Sequence, residues 1–133
     1  MKKFVLLFVL LSLGATLLTA CGGSGACSNS SSSSSGGSSP TVHMCSDNFV
    51  QTSITISKGQ SLTLIDDASD THIIANGTWV NGSAQPKQEP GAPTVNVTFN
   101  GNDTHQIGPF NTSGTYQLYC TVHPGMNLTV IVQ

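Results

Sequence analysis

The sequence contains no arginine, and its four lysines and six acidic residues make up only 8% of 133 residues, where soluble domains usually carry about 25% charged residues. A chain without a basic patch cannot neutralise phosphates, so nucleic-acid binding is excluded. Aromatic residues are also sparse, at 6% with a single tryptophan. No helical periodicity runs long enough to build a helical core. The one long apolar stretch, Phe4 to Leu18 behind Lys2 and Lys3, falls short of the ~20 residues a membrane span needs and suits the apolar centre of a secretory signal. The length allows a single domain.

The stretch ends in Leu18-Thr19-Ala20-Cys21, which resembles a bacterial lipobox. That resemblance implies a signal peptide over 1–20 and a lipidated Cys21 as first residue of the mature chain. It places the protein at the outer face of the cytoplasmic membrane. Ordinary cleavage near Ala20, leaving Cys21 as a thiol, is the alternative reading. Residues 22 to 40 are almost entirely glycine and serine and offer nothing to bury, so 21–40 reads as a lipidated cysteine and flexible tether. Such a tether spans typically ~25 Å and at most about 65 Å.

Residues 41–133 are enough for one β-sandwich with its own core. Short runs show apolar residues at every second position: Ile54 and Ile56; Leu62 and Leu64; Val95, Val97 and Phe99; Tyr116, Leu118 and Cys120; Leu128, Val130 and Val132. Turn dipeptides separate them, among them Asn81-Gly82, Pro90-Gly91 and Ser113-Gly114. The pattern predicts an all-β antiparallel sandwich or barrel. The stretch from Asn81 to Pro93, with three prolines and little apolar character, is expected as a mobile surface excursion between two strands. With the leader gone, Lys58 and Lys87 face six acidic residues, a formal charge of −4.

The chemistry-bearing segment is Cys120-Thr121-Val122-His123-Pro124-Gly125-Met126. A thiolate, an imidazole and a thioether at that spacing suit copper, with Met as a weak axial ligand. A mononuclear site needs a second imidazole. His72, opening the apolar run His72-Ile73-Ile74-Ala75, is the leading candidate.

The segment Gly114 to Met126, G-T-Y-Q-L-Y-C-T-V-H-P-G-M, resembles the C-terminal signature of the cupredoxins, the small blue copper proteins. Its Cys-x2-His-x2-Met spacing looks most like the amicyanin type. Upstream, Ile54 to Ile65, I-T-I-S-K-G-Q-S-L-T-L-I, resembles the family's strand, turn and strand before the first His ligand. The resemblance covers residues 42 to 133 and implies a Greek-key sandwich of seven to eight strands. It implies one Cu(I)/Cu(II) ion held by His72, Cys120, His123 and Met126. Ile73 and Val122 stand where the plastocyanin type often has Asn and Pro. Groups around the ligands tune the metal, so the potential stays open. Pro124 stands where a binuclear centre would place a second Cys, and the neighbours of Cys120 are Tyr119 and Thr121 where copper enzymes of this family use His. Electron transfer rather than catalysis is therefore implied.

In that reading a membrane-anchored, monomeric carrier shuttles single electrons between membrane redox complexes or other electron carriers. His123 is the electron port, within an apolar collar of Pro124, Gly125, Pro109 and Phe110, and Tyr119 presents a second, exposed route. A copper-holding or copper-delivery surface protein is the alternative, and a metal-free structural sandwich is the third class. Elsewhere, His43, Met44 and Cys45 are adjacent on one expected strand, so their side chains alternate and converge poorly on an ion. Cys45 is expected as a buried free thiol, a disulfide to Cys27 being the alternative that export permits. His105 is expected on a surface loop.

Overall fold

The structure is a computed structural model and describes residues 39–133. The expected signal peptide, Cys21 and nearly all of the expected tether lie outside the described residues.

Period-two alternation becomes strand wherever one face can be buried. Among the described residues there are nine strands in two sheets and no helix. In the smaller sheet, β3 (Leu62–Asp66) is flanked by β1 (Thr41–Met44), which runs parallel to it, and by antiparallel β7 (Thr104–Ile107). In the larger sheet, β2 (Ser53–Ile56) lies parallel to β9 (Asn127–Val132), which pairs antiparallel with β8 (Gly114–Cys120). β8 pairs with β4 (His72–Val80). The far edge of β4 is shared: β6 (Asn96–Phe99) covers His72 to Ala75, and β5 (Ser83–Pro86) covers Gly77 to Val80. The sandwich has nine strands where seven to eight were expected, and two of its pairings are parallel. Each parallel pair joins strands separated in sequence by a crossing to the other sheet, which no hairpin turn can signal.

The core forms between the two inner faces. Val42, Leu62, Leu64, Ile74, Leu118 and Val130 are all fully buried. Phe110 and Tyr116 pack ring to ring at 5.9 Å, and the Tyr116 hydroxyl donates to the Thr112 carbonyl at 2.7 Å. That bond offsets the cost of taking a phenol out of water.

The stretch Asn81 to Pro93 departs from expectation. Asn81 and Gly82, with φ of 48° and 75°, form the two-residue turn that suits a twisted hairpin, and β5 follows directly. Its residues Ser-Ala-Gln-Pro are all exposed, so no alternation betrays the strand. Past β5 the chain is tied down by Asn76, whose Nδ2 donates to Pro93 O at 3.1 Å while its Oδ1 accepts from Val95 N at 2.7 Å.

Gly77 is the hinge of this region. Its φ is +134°, and a Cβ there would lie 2.5 Å from Gln85 O and 2.8 Å from the Tyr119 ring. Gly77→Ala is therefore expected to destabilise the domain by about 2 kcal/mol or more, measured by chemical denaturation; a variant as stable as the parent would refute the close approach of β5 and Tyr119 at this point.

Candidate metal centre

Strand register brings the site together. In the β4–β8 ladder Ile74 faces Cys120, and side chains two residues apart share a face, so His72 and Cys120 both turn into the sandwich at one end. β8 then gives way to a six-residue loop, 121–126, before Asn127 resumes pairing opposite Tyr119 in β9. The loop is braced internally, since Cys120 N donates to Met126 O at 3.0 Å and Met126 N to His123 O at 3.2 Å. A further bond, Thr121 N to Ile73 O at 2.8 Å, fastens it beside His72.

Three nitrogen and sulfur atoms converge as a result. Cys120 Sγ lies 3.7 Å from His72 Nδ1 and 3.4 Å from His123 Nδ1, and the two Nδ1 atoms are 3.1 Å apart. The point equidistant from these three atoms is about 2.0 Å from each, which is the length of a metal–imidazole bond and close to that of a metal–thiolate bond. His72, Cys120 and His123 are thus positioned to hold one metal ion. A trigonal set of two imidazoles and a thiolate suits copper. Met126 lies on the same loop with its side chain buried.

The electrostatics follow from burial. His72 and Cys120 are completely buried, while His123 is half-buried. Desolvation pushes the His72 pKa below its ordinary value of 6.5, helped by the neighbouring His123 ring and opposed by Asp66. With Nδ1 turned toward the thiol, the other ring nitrogen, Nε2, faces the buried Asp66 carboxylate at 3.7 Å. The Cys45 backbone also opposes the depression at His72, and Asp66 Oδ2 has no hydrogen-bond partner. Asp66 Oδ1 accepts from Ala68 N at 3.0 Å, so the carboxylate is held in place behind the imidazole. A carboxylate behind a metal-binding histidine fixes the ring and raises its basicity.

Several expectations need correction. Tyr119 is only 4% exposed; it sits under the β4–β5 hairpin with its ring edge-on to Trp79 at 6.0 Å. Phe110 is fully buried, and neither it nor Pro109 belongs to a collar around His123. β7 runs antiparallel to β3, with Ile107 opposite Leu62 and Thr104 opposite Ile65, so the chain after β7 leaves at the end of β3 remote from Asp66. Pro124 and Gly125 are exposed as expected, and Val122 joins them at 46% exposure. Cys45 is disulfide-bonded rather than free. His105 lies on β7, not a loop, with its ring edge-on to Phe99 at 4.8 Å. It takes no part in the cluster formed by His72, Cys120 and His123. His43 pairs with Asp67 at 2.7 Å.

Sequence reasoning did not single out Asp66, Trp79 or Asn127. Asp66 ends an alternating strand, where a carboxylate reads as the start of a turn. Asn127 and Trp79 become visible as site residues only once the β4–β8–β9 register is known.

Because native His72 resists protonation, the unfolded chain binds more protons than the folded one below its unfolded pKa of about 6.5. The metal-free protein is therefore expected to lose stability as pH falls below that value. His72→Asn should flatten this part of the profile in thermal melts between pH 7 and 5; an equally steep loss in the variant would refute the assignment.

No family model matches the chain, and the comparison with curated proteins finds no match. Solved structures do match. Amicyanin from Paracoccus versutus (Thiobacillus versutus) is 20% identical over 71% of this chain and 81% of its own, with a TM-score of 0.55. A reduced Cu(I) form of an amicyanin variant at pH 4 is 19% identical over 74% of this chain and 85% of its own, with a TM-score of 0.56. A purple cupredoxin from Nitrosopumilus maritimus is 22% identical over 71% of this chain and 99% of its own, with a TM-score of 0.53. At these identities what is shared is architecture, and the described residues have the cupredoxin fold.

Proposed function

We propose that residues 41–133 form a one-electron carrier that holds a single copper ion, anchored through Cys21 to the outer face of the cytoplasmic membrane. It exchanges electrons with membrane redox complexes or other carriers. The observation that carries this reading is the triangle of Cys120 Sγ, His72 Nδ1 and His123 Nδ1, with edges of 3.1 to 3.7 Å.

Copper bound there supplies a couple, Cu(II)/Cu(I), that takes up or gives up one electron. The chain's own residues do the rest. Cys120 offers its sulfur from a fully buried position, shielded from solvent. His72 is the buried imidazole, kept unprotonated by desolvation and backed by Asp66. Met126, buried at the end of the same loop, is the fourth ligand in this reading. Burial of His72, Cys120 and Met126 leaves little room for a substrate, which supports electron transfer over turnover; catalytic metal sites keep an open position.

His123 is the half-exposed member of the set, and through its ring the site meets the surface. Val122, Pro124 and Gly125 around it are exposed and uncharged. With a formal charge of only −4 beyond the leader, docking at this rim rests on apolar contact and shape more than on steering by charge.

The full-length protein in detergent is expected to bind one equivalent of Cu(II) with an intense visible thiolate-to-copper band and a narrow copper hyperfine splitting. Cys120→Ser should abolish the band. A pale copper signal that survives Cys120→Ser would sink the ligand assignment. Ready exchange of the metal with chelators and apo acceptors would turn the reading toward copper delivery. For the anchor, Cys21→Ser is expected to move the protein from the membrane to the soluble fraction, and retention on the membrane would remove lipidation at that residue.

A further inference from the structure

The loop bearing Cys120, His123 and Met126 is held at both feet by one residue of the neighbouring strand. Trp79 sits on β4, seven positions beyond His72, and its indole Nε1 donates to the Cys120 carbonyl at 2.8 Å. Its backbone makes a reciprocal pair with Asn127, the residue that follows Met126. Trp79 N donates to Asn127 Oδ1 at 2.7 Å, and Asn127 Nδ2 donates to Trp79 O at 3.1 Å. Cys120 and Asn127 bracket residues 121–126, so three hydrogen bonds from a single position fasten the start and the end of the loop.

Both peptide groups of Cys120 are thereby committed. Its N–H is given to Met126 O, and its carbonyl receives the indole. The ring is seated edge-on against buried Tyr119, with centroids 6.0 Å apart and planes at 77°, which limits the directions its N–H can take. Because β4 also carries His72, the clamp refers the loop's donors and the separate imidazole to the same strand.

We infer that Trp79, acting with Asn127, is a positioning residue that fixes the loop carrying Cys120, His123 and Met126 relative to His72, and so sets the electronic properties of the metal centre. Trp79 touches no metal-binding atom. It acts through the main chain of a residue that does, and groups in that position typically change metal-site performance 10- to 100-fold when removed. A rigid loop keeps the ligands still between the two oxidation states. A loosened loop makes them move, and electron exchange slows.

The inference rests on the copper reading, and its test separates the two. Trp79→Phe keeps an aromatic side chain and both backbone bonds to Asn127 and removes the indole N–H together with its five-membered ring. Asn127→Ala removes the other two bonds, and Asn127→Asp retains the acceptor for Trp79 N. In metal-free full-length protein, hydrogen exchange is expected to quicken at the hydrogen-bonded amides of Cys120, Thr121 and Met126 in Trp79→Phe and Asn127→Ala, with the global melting temperature little changed. Loaded with one Cu(II), both variants should bind metal but show a displaced thiolate-to-copper band, a shifted potential and an electron self-exchange rate about tenfold lower, with Asn127→Asp recovering part of each. Parental loop exchange in both variants would overturn the clamp whether or not copper binds. So would lowered stability accompanied by parental band, potential and self-exchange. Failure of the parent protein to form the copper–thiolate band would instead defeat the copper reading, and loop exchange alone would then judge the clamp.

Discussion

The pairing of β4 with β8 is the constraint on which the site depends. With Ile74 opposite Cys120, a thiol and an imidazole 48 residues apart in the chain enter the sandwich at the same end, 3.7 Å from each other. Strand side chains alternate, so a slip of one residue would turn either His72 or Cys120 outward and leave no site. Burial enforces the register, since the same face carries Ile74 and Leu118, both fully buried. The apolar core thus selects the metal geometry, and no separate device is required to choose it.

Around that register the chemistry is divided between rigid and adaptable parts. His72 is carried by the first residue of a nine-residue strand that is paired on both edges, with a carboxylate behind its ring. Cys120 closes β8, and His123 and Met126 come from the short loop that follows, whose conformation is closed by its own hydrogen bonds and by contacts to β4. Groups meant to stay put are best mounted on regular structure and supported from behind. Here even the loop that carries His123 is referred to a strand.

Much of this was legible in the amino-acid order, for identifiable reasons. The five alternating runs became β2, β3, β6, β8 and β9, because period-two apolar spacing reports a face that must be buried. Cys120 and His123 could be named because a thiol, an imidazole and a thioether within seven residues form a donor set that few roles besides metal binding require, and His72 because such a set needs a second imidazole from elsewhere in the chain. β5 could not be seen, because every residue in it faces solvent and the strand exists only through its turn and its partner. Tyr119 misled because alternation with Tyr116 and Leu118 puts it on the outer face, and outer was equated with exposed. The β4–β5 hairpin crosses that face and covers it, aided by the missing side chain at Gly77. Asp66, Trp79 and Asn127 act through partners distant in sequence, a relation that no local pattern encodes.

The hydrogen bond from Trp79 to the Cys120 carbonyl has an optical consequence. Trp79 is the single tryptophan of the chain, and its N–H is bound to the main chain of Cys120. Intrinsic fluorescence excited selectively at the indole therefore comes from one spot at the base of the metal-bearing loop. The protein carries its own unlabelled reporter of that loop, read without a probe and without disturbing any residue of the centre.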